Sequence, residues 1–282
     1  MTPAQTYYGY GHAIRSSIVI PGAIAMADAI AENADIRVDE RPLALGAATR
    51  IAGPYRLSPD GLCFNAPGVA CYLCTAEQIV VERVRGARDD MVGGFLVATA
   101  IPACLWMRGA FVLHAGAIVL PGSDKAVAIA GASGSGKSVA LSQLVDTGGK
   151  LVADDTLTLG AEASGAVASG LPGGCMLGAD PRVFHAVPPT SSLRSAKLGA
   201  LAILRHPRDP NRVGFSRLTG TDALVALLAN RHRPRIPKLL GLEQAHLPLL
   251  AELASRLPIY SWGRREGEPR LDDREQAILA SF

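Results

Sequence analysis

The sequence has little that would mark a nucleic-acid-binding protein. Aromatic residues make up only 5% of its 282 residues, and no block of basic residues is interleaved with aromatics as a base-stacking surface requires. The formal net charge of +3 is also too small to indicate a polyanionic partner. We therefore expect no nucleic acid among the partners of this chain.

Cysteine is scarce, and the spacing of the cysteines does not indicate a disulfide framework. The five cysteines are odd in number and irregularly spaced, which favours free, mostly buried thiols in a reducing compartment. Cys71 and Cys74 form one C-x-x-C pair, but a structural zinc site takes four ligands and no second Cys/His pair stands at a matching spacing. We expect apolar strand positions here and no zinc.

Long hydrophobic runs are also missing. The longest apolar run, residues 95–107, is too short to cross a bilayer and contains Pro102. The N-terminal apolar stretch, residues 18–27, is interrupted by Pro21 and Gly22 and alternates as a strand does, which argues against a signal peptide. We expect no membrane partner and a cytoplasmic location.

Apolar residues are abundant in the chain. They make up 49% of the sequence and charged residues 19%, as in a folded globular protein. Short β-branched and aromatic runs between turn residues predict a β-rich accessory region over residues 1–90. A buried helix over residues 89–108 and then alternating strands and helices predict an α/β domain over residues 91–282.

One motif carries a definite chemistry. Residues 131–138 match G-x-x-x-x-G-K-[ST], between an apolar run of strand length at 126–130 and a helical pattern at 138–145. Glycines let successive backbone N–H groups converge on phosphate oxygens, a lysine reaches the β- and γ-phosphates, and a serine hydroxyl ligates Mg²⁺. The motif predicts a site for nucleotide phosphates and Mg²⁺ formed by Gly131, Ala132, Ser133, Gly134, Ser135, Gly136, Lys137 and Ser138. A glycine-rich turn that binds nothing is the alternative.

Two carboxylates follow this motif closely. The apolar run 150–153 ends in Asp154 and Asp155, and only 16 residues separate Ser138 from Asp155. That length suits a short helix, a turn and an adjacent strand. Such a path would bring the carboxylates back to the sheet edge that carries residues 131–138, which we call the glycine loop. Because side chains alternate along a strand, we expect different roles for them, one on Mg²⁺ and one accepting the proton of an attacking hydroxyl. A solvated strand end is the alternative.

Two further features stay ambiguous from the residues alone. His114 lies within an apolar strand pattern at residues 110–120, predicted to pair antiparallel with 126–130, where a lone histidine is more often a core residue. Residues 231–235 form the only basic cluster. This cluster predicts either a contact with a substrate phosphate or acidic peptide, or a solvated helix end whose cations suit the helix dipole.

Taken in order, Leu113-His114-Ala115, the glycine loop and Val152-Ala153-Asp154-Asp155 are similar to the catalytic core of HPr kinase/phosphorylase. The resemblance covers roughly residues 90–205. It implies an α/β P-loop kinase core of the type shared with phosphoenolpyruvate carboxykinase, here with a β-rich N-terminal region.

Carried over by position, the resemblance implies phosphate and Mg²⁺ roles for Lys137 and Ser138. His114 becomes a phosphate-side catalytic residue, Asp154 the base and Asp155 a metal ligand, although which aspartate takes which role is open. Where HPr kinase has a metal-binding glutamate, residues 170–176 carry no carboxylate, which puts a phosphorylase activity in doubt.

Short flanking segments resemble the HPr-kinase-like proteins of lasso peptide gene clusters. They are Tyr8-Gly9-Tyr10-Gly11, Ile14-Arg15-Ser16, Arg108-Gly109, Gly170-Leu171-Pro172, Arg233-Pro234 and Leu257-Pro258-Ile259-Tyr260. Some of those proteins phosphorylate the C-terminal serine of a lasso precursor peptide. The resemblance therefore implies an ATP-dependent serine kinase for such a peptide, and a homo-oligomer. A kinase for HPr or a small molecule, and a nucleotide-binding regulator without turnover, remain alternatives.

Overall fold

The computed structural model describes residues 4–26, 34–162, 165–178, 183–265, 267–268 and 270–282. Residue 27, the end of the N-terminal apolar stretch, lies outside these ranges. The chain divides into two compact units. The first comprises Met1–Val112 and Arg233–Ala245, and the second comprises Leu113–His232 and His246–Phe282.

Strands dominate the described structure. They are β1 Gln5–Gly9, β2 His12–Ser16, β3 Ile24–Ala25, β4 Ile36–Glu40, β5 Arg50–Ala52, β6 Tyr55–Ser58, β7 Gly61–Ala66, β8 Ala70–Cys74, β9 Gln78–Arg83, β10 Phe111–Leu113, β11 Ala115–Val119, β12 Lys125–Gly131, β13 Lys150–Ala153, β14 Leu157–Glu162, β15 Gly165–Ser169, β16 Gly174–Leu177, β17 Val183–Ala186, β18 Ser195–Arg205, β19 Gly214–Leu218 and β20 Ile259–Gly263.

The helices are fewer and mostly short. They are α1 Asp89–Phe95, α2 Ile101–Met107, α3 Lys137–Asp146, α4 Gly220–Ala229, α5 Arg235–Leu240, α6 Leu247–Arg256 and α7 Asp273–Ala280. The amphipathic pattern of residues 243–256 is typical of a helix, but α6 begins only at Leu247. The fold is mixed α/β, as the sequence predicted.

The first unit is built on one sheet, in the order β3-β1-β2-β4-β9-β8-β7-β6-β5. Its strands bury alternate side chains: in β4, Ile36 and Val38 are buried while Arg37 between them is exposed. The Ser-Pro-Asp-Gly sequence at residues 58–61 is typical of a hairpin turn, and Ser58 pairs with Gly61 where β6 turns into β7. The predicted β-rich character of this region is therefore present.

The predicted helix over residues 89–108 is present as α1 and α2, joined by one π-helical stretch at Leu96–Ala100. In the described part of the chain, Asp89–Met107 is the one helical segment long and apolar enough to cross a membrane, and 61% of it is buried within the protein, as in a core helix. The Tyr72 hydroxyl donates to Val92 O at 2.9 Å, which ties α1 to β8. The boundary predicted after residue 90 thus falls inside the first unit.

The thiols are free and mostly buried, as the sequence predicted. Cys63, Cys74, Cys104 and Cys175 are buried and Cys71 is half-buried. Cys63 and Cys71 lie on β7 and β8 with their sulfur atoms 3.4 Å apart. Burial raises the pKa of Cys104 to about 12, so this thiol stays protonated at neutral pH and behaves as a small apolar side chain.

In the second unit, the directions of the strands determine which strand ends share one edge of the sheet. β11 runs antiparallel to β12, with Ala115 opposite Ala130, and antiparallel to β13, with Ala117 opposite Ala153. β18 runs parallel to β12, and β20 parallel to β18. The carboxyl ends of β12, β13, β18 and β20 therefore meet the amino end of β11 at one edge of the sheet, which we call the loop edge.

This arrangement corrects two predictions. The strand that precedes the aspartate pair is not adjacent to β12, because β11 lies between β12 and β13. The strand expected over residues 110–120 is divided into β10 and β11 by His114. The predicted antiparallel pairing of β11 with β12 is confirmed.

The core of this unit lies between the sheet and α3. Ala140, Leu141 and Leu144 of α3 pack in one cluster with apolar residues of β11, β12, β13 and β18. The spacing of Val139, Leu141 and Leu144 predicts one apolar stripe on this helix, but Val139 is 40% exposed and Ala140 is buried instead. On the sheet, Gly116 of β11 lies where a Cβ would meet Leu141 Cδ1 and come within 2.5 Å of Asp154 O.

We predict that Gly116→Ala lowers the free energy of unfolding by about 2 kcal/mol, because overpacking against backbone oxygens forces strands apart. Urea unfolding followed by circular dichroism measures this change. Gly160→Ala is the matched control, since a Cβ there meets only Val167 O at 4.0 Å. Equal midpoints for the two variants would show that β11 is not packed this closely.

Candidate functional site

The glycine motif forms a tight loop at the loop edge, between β12 and α3. A Cβ on Gly131 would lie 2.6 Å from Leu204 O and 2.9 Å from Ser135 Oγ, so only glycine fits there. Gly136, the N-cap residue of α3, has φ of 92°, which glycine adopts without strain. Glycine also has no side chain to cap the first amide groups of α3, which suits them to bind an anion.

Lys137 lies against this loop. Its side chain is buried, and Nζ donates hydrogen bonds to Gly131 O at 2.9 Å and Ala132 O at 3.1 Å. Ser135 Oγ is buried with no hydrogen-bond partner among the atoms of the described residues. A buried hydroxyl of this kind fits a loop built to surround a polar ligand such as a phosphate group.

A cavity of about 500 Å³ opens beside the loop. This volume is within the usual range for small-molecule sites. Four of its lining residues are arginine or histidine, and no aspartate or glutamate is found among the described residues that line it. The lining consists of His114, Gly131, Ala132, Ser133, Gly134, Ser135, Ile203, Leu204, Arg205, His206, Ala229, Asn230 and Arg231. These residues favour an anionic ligand.

Two histidines hold the second aspartate. His114 Nε2 lies 3.2 Å from Asp155 Oδ1, and His232 Nε2 lies 3.7 Å from Asp155 Oδ2. The two imidazole rings stand nearly perpendicular, with centroids 5.9 Å apart. The backbone N–H of His114 donates to Asn230 O at 2.8 Å. This bond brings the chain after α4 to the start of β11 and places His232 at the site.

The charge of this cluster follows from its contacts. Burial raises the pKa of the Asp155 carboxyl, but the hydrogen bonds and charges of His114 and His232 outweigh burial and hold that pKa well below its usual range. Asp155 is therefore ionised at neutral pH. Since His114 lines the cavity and Asp155 does not, the carboxylate stands behind the imidazole.

Asp154 faces a different neighbour. Its carboxyl is buried, and Oδ2 accepts a hydrogen bond from the Met176 N–H of β16 at 2.8 Å. Cys175, next to Met176, packs in the cluster that contains the buried face of α3. The two consecutive aspartates thus point to different partners, Asp154 toward β16 and Asp155 toward the histidines.

The structure brings most of the sequence-predicted residues to the loop edge. The glycine loop, Lys137, His114 and Asp155 come together there, and Ser138 is the second residue of α3 and half-buried. Asp154 lies at the end of β13, but its carboxylate is held by β16. The predicted site residues therefore form one group around the loop, with the orientation of Asp154 as the exception.

The basic cluster at residues 231–235 does not act as one group, because its side chains contact different parts of the structure. Arg231 lines the cavity, His232 contacts Asp155, and Arg233 donates to Ala98 O at 3.1 Å in the first unit. The sequence pattern did not indicate His232 as a site residue. Its only distinguishing feature is its position just after a helix, where the neighbouring arginines dominate the pattern.

His206 was also missed. It lines the cavity and follows β18 directly, and β18 runs parallel to β12. A residue after the carboxyl end of a buried strand is a recognised position for a site residue in α/β proteins. The apolar run at residues 197–205 indicates a strand, but no local pattern shows that this strand neighbours β12.

No protein-family model matches this chain, and no curated protein matches it either. Among solved structures, the chain is similar to that of the Hpr(Ser) kinase/phosphatase from Coxiella burnetii, with 17% sequence identity and a TM-score of 0.38. The match covers 60% of this chain and 86% of that chain. A similarity of this size does not assign the chain to a family.

We predict a pH-dependent cost for Asp155→Asn. A carboxyl whose pKa is lowered by folding stabilises the folded state above its unfolded pKa of about 3.9, and the stabilisation is lost as the pH falls through the folded pKa. The difference in unfolding free energy between wild type and variant should shrink as the pH falls from about 5 toward about 3.

Urea titrations at several pH values measure this difference. Asp124→Asn, in the turn between β11 and β12, is the control and should show no such trend. A difference for Asp155→Asn that stays constant or widens on acidification would show that the histidines do not hold the carboxylate.

Proposed function

We propose that this chain is an ATP-dependent kinase that transfers a phosphoryl group to a serine hydroxyl. The observation that carries the proposal is the position of the His114–Asp155 pair at the same sheet edge as the phosphate-type loop, with His114 lining the cavity beside that loop. A protein that only binds a nucleotide has no need of a histidine backed by a carboxylate at this point.

ATP suits the loop and the cavity. The loop offers uncapped amide groups at the start of α3, the Lys137 ammonium and the buried Ser135 hydroxyl. Arg205 and Arg231 add positive charge to the cavity wall. These groups together favour a polyphosphate, whose charge they would neutralise.

Mg²⁺ fits as a partner of the phosphates rather than as a resident metal of the protein. Among the residues that the structure describes, no three of His, Cys, Asp or Glu are placed to hold a metal ion. Mg²⁺ bound with a nucleotide needs only one or two protein ligands. We assign one to the Ser138 hydroxyl; Asp154, whose Oδ2 accepts from the Met176 N–H, would contact the ion through a water molecule. When bound, Mg²⁺ would neutralise charge on the phosphates.

Proton transfer falls to His114 in this proposal. As the serine oxygen bonds to the γ-phosphorus, the bond to the β–γ bridging oxygen breaks and ADP leaves. The serine proton passes to the imidazole of His114. Asp155, ionised and behind the ring, orients His114 and stabilises the imidazolium, as a carboxylate does in other histidine–aspartate pairs.

These roles reverse the order implied by the resemblance, which made Asp154 the base and Asp155 the metal ligand. The reason is geometric: both histidines contact Asp155, whereas Asp154 bonds to the backbone of β16. An aspartate that already holds two imidazoles is a poor candidate for direct coordination of Mg²⁺.

The acceptor rests on resemblance alone. We propose a serine of a lasso precursor peptide, because the flanking segments resemble proteins of lasso peptide gene clusters. A cytoplasmic location and a homo-oligomer are part of the same proposal. HPr-type proteins and small hydroxyl compounds are the acceptors to compare with the peptide.

The test is to incubate the chain with ATP, Mg²⁺ and serine-containing peptides and to follow peptide mass. We predict a gain of one phosphate, and a fall in kcat of about 10²–10⁴-fold in His114→Gln and in Asp155→Asn. Lys137→Ala should lose nucleotide affinity, whereas Lys125→Ala, at the exposed start of β12, should match wild type.

Two results would change the proposal. Binding of ATP without phosphate transfer to any acceptor would favour a nucleotide-binding regulator. Full activity in Asp155→Asn together with none in Asp154→Asn would return the proton-transfer role to Asp154.

A further inference from the structure

His206 is held between two carbonyl oxygens. Its Nε2 lies 3.0 Å from Ser135 O in the glycine loop, and its Nδ1 lies 3.1 Å from Arg264 O just after β20. A carbonyl oxygen only accepts hydrogen bonds, so a ring nitrogen of His206 bonds to either oxygen through an N–H. The imidazole thus connects the loop to the end of a neighbouring parallel strand.

The contact with Ser135 O fixes the direction of a loop amide. The carbonyl of Ser135 and the N–H of Gly136 belong to one peptide plane, and in a trans peptide they point in opposite directions. Gly134 and Gly136 on either side have φ of 80° and 92°, so the local backbone is built from the residue with the widest conformational freedom. Glycines on both sides therefore place few steric restraints on the Ser135–Gly136 peptide.

The other end of the connection is firmly supported. The Arg264 side chain is buried, and its Nε donates to Glu275 Oε1 of α7 at 2.8 Å, which also accepts from Trp262 Nε1 at 3.0 Å. The backbone N–H of Arg264 donates to Arg205 O at 2.9 Å. The carbonyl that faces His206 Nδ1 is therefore part of a rigid segment between β18 and α7.

We propose that His206 is a positioning residue for the phosphate loop. Through Nε2 it holds the Ser135–Gly136 peptide in the orientation in which the loop amides meet a phosphate group, and through Nδ1 it is anchored on Arg264. The phosphate ligand rests on the proposed function; the restraint on the loop rests on the His206 contacts alone.

Two substitutions separate the roles of the two ring nitrogens. The side-chain amide nitrogen of glutamine lies near the position of Nε2, and that of asparagine lies near Nδ1. His206→Gln therefore keeps a donor for Ser135 O, whereas His206→Asn keeps one only for Arg264 O. We predict that calorimetry with ADP and Mg²⁺ finds affinity within about 3-fold of wild type for His206→Gln and about 10-fold weaker for His206→Asn.

Amide hydrogen exchange of the nucleotide-free chain tests the restraint without any ligand. The peptide containing residues 131–138 should exchange faster in His206→Asn than in His206→Gln and wild type, while β11 exchanges equally in all three. Equal exchange of the loop in the two variants would overturn the proposal. So would an equal fall in unfolding temperature, because a general structural role does not distinguish the two nitrogens.

The same pair of experiments separates this proposal from the proposed function. If wild type binds no ADP, the nucleotide-dependent function fails, while loop exchange still decides the role of His206. If wild type binds ADP but the loop exchanges identically in both variants, the positioning role fails and the kinase proposal stands.

Discussion

The site depends on the antiparallel placement of β11 between β12 and β13. Because β11 runs against both neighbours, its amino end and their carboxyl ends meet at one edge, where His114, the glycine loop and Asp155 follow. The arrangement needs close packing: Gly116 of β11 faces backbone oxygens of residues 153 and 154 at distances that exclude a side chain. The parallel strands β18 and β20 extend the same edge and add His206 and Arg264.

Charge is distributed unevenly around this edge. The cavity wall carries arginine and histidine, while the carboxylate that balances part of this charge stands behind His114. Asp155 is a half-buried ionised group, and burial of a charge is tolerated where the charge is paired and hydrogen-bonded. The two histidines supply that pairing, so the position of His114 and the stability of the carboxylate arise from the same contacts.

Local motifs allowed the sequence to predict the glycine loop, the helix after it, the β11–β12 pairing and the return of the aspartates to the loop. The partners of Asp154 and Asp155 could not be predicted, because they depend on whether a side chain faces β16 or the segment after α4. His232 and His206 reach the site by long-range strand and helix placement, which no local pattern records. The division after residue 112 likewise reflects packing of α1 and α2 on the first sheet, not composition.

A crystal structure with Mg²⁺ and a non-hydrolysable ATP analogue tests most directly whether this edge is a phosphoryl-transfer site. We predict phosphate oxygens on the amide groups of residues 132–138, with the terminal phosphate in the cavity that His114 lines. An analogue bound away from the glycine loop, or one whose terminal phosphate lies on the far side of the loop from His114, would contradict the proposed function.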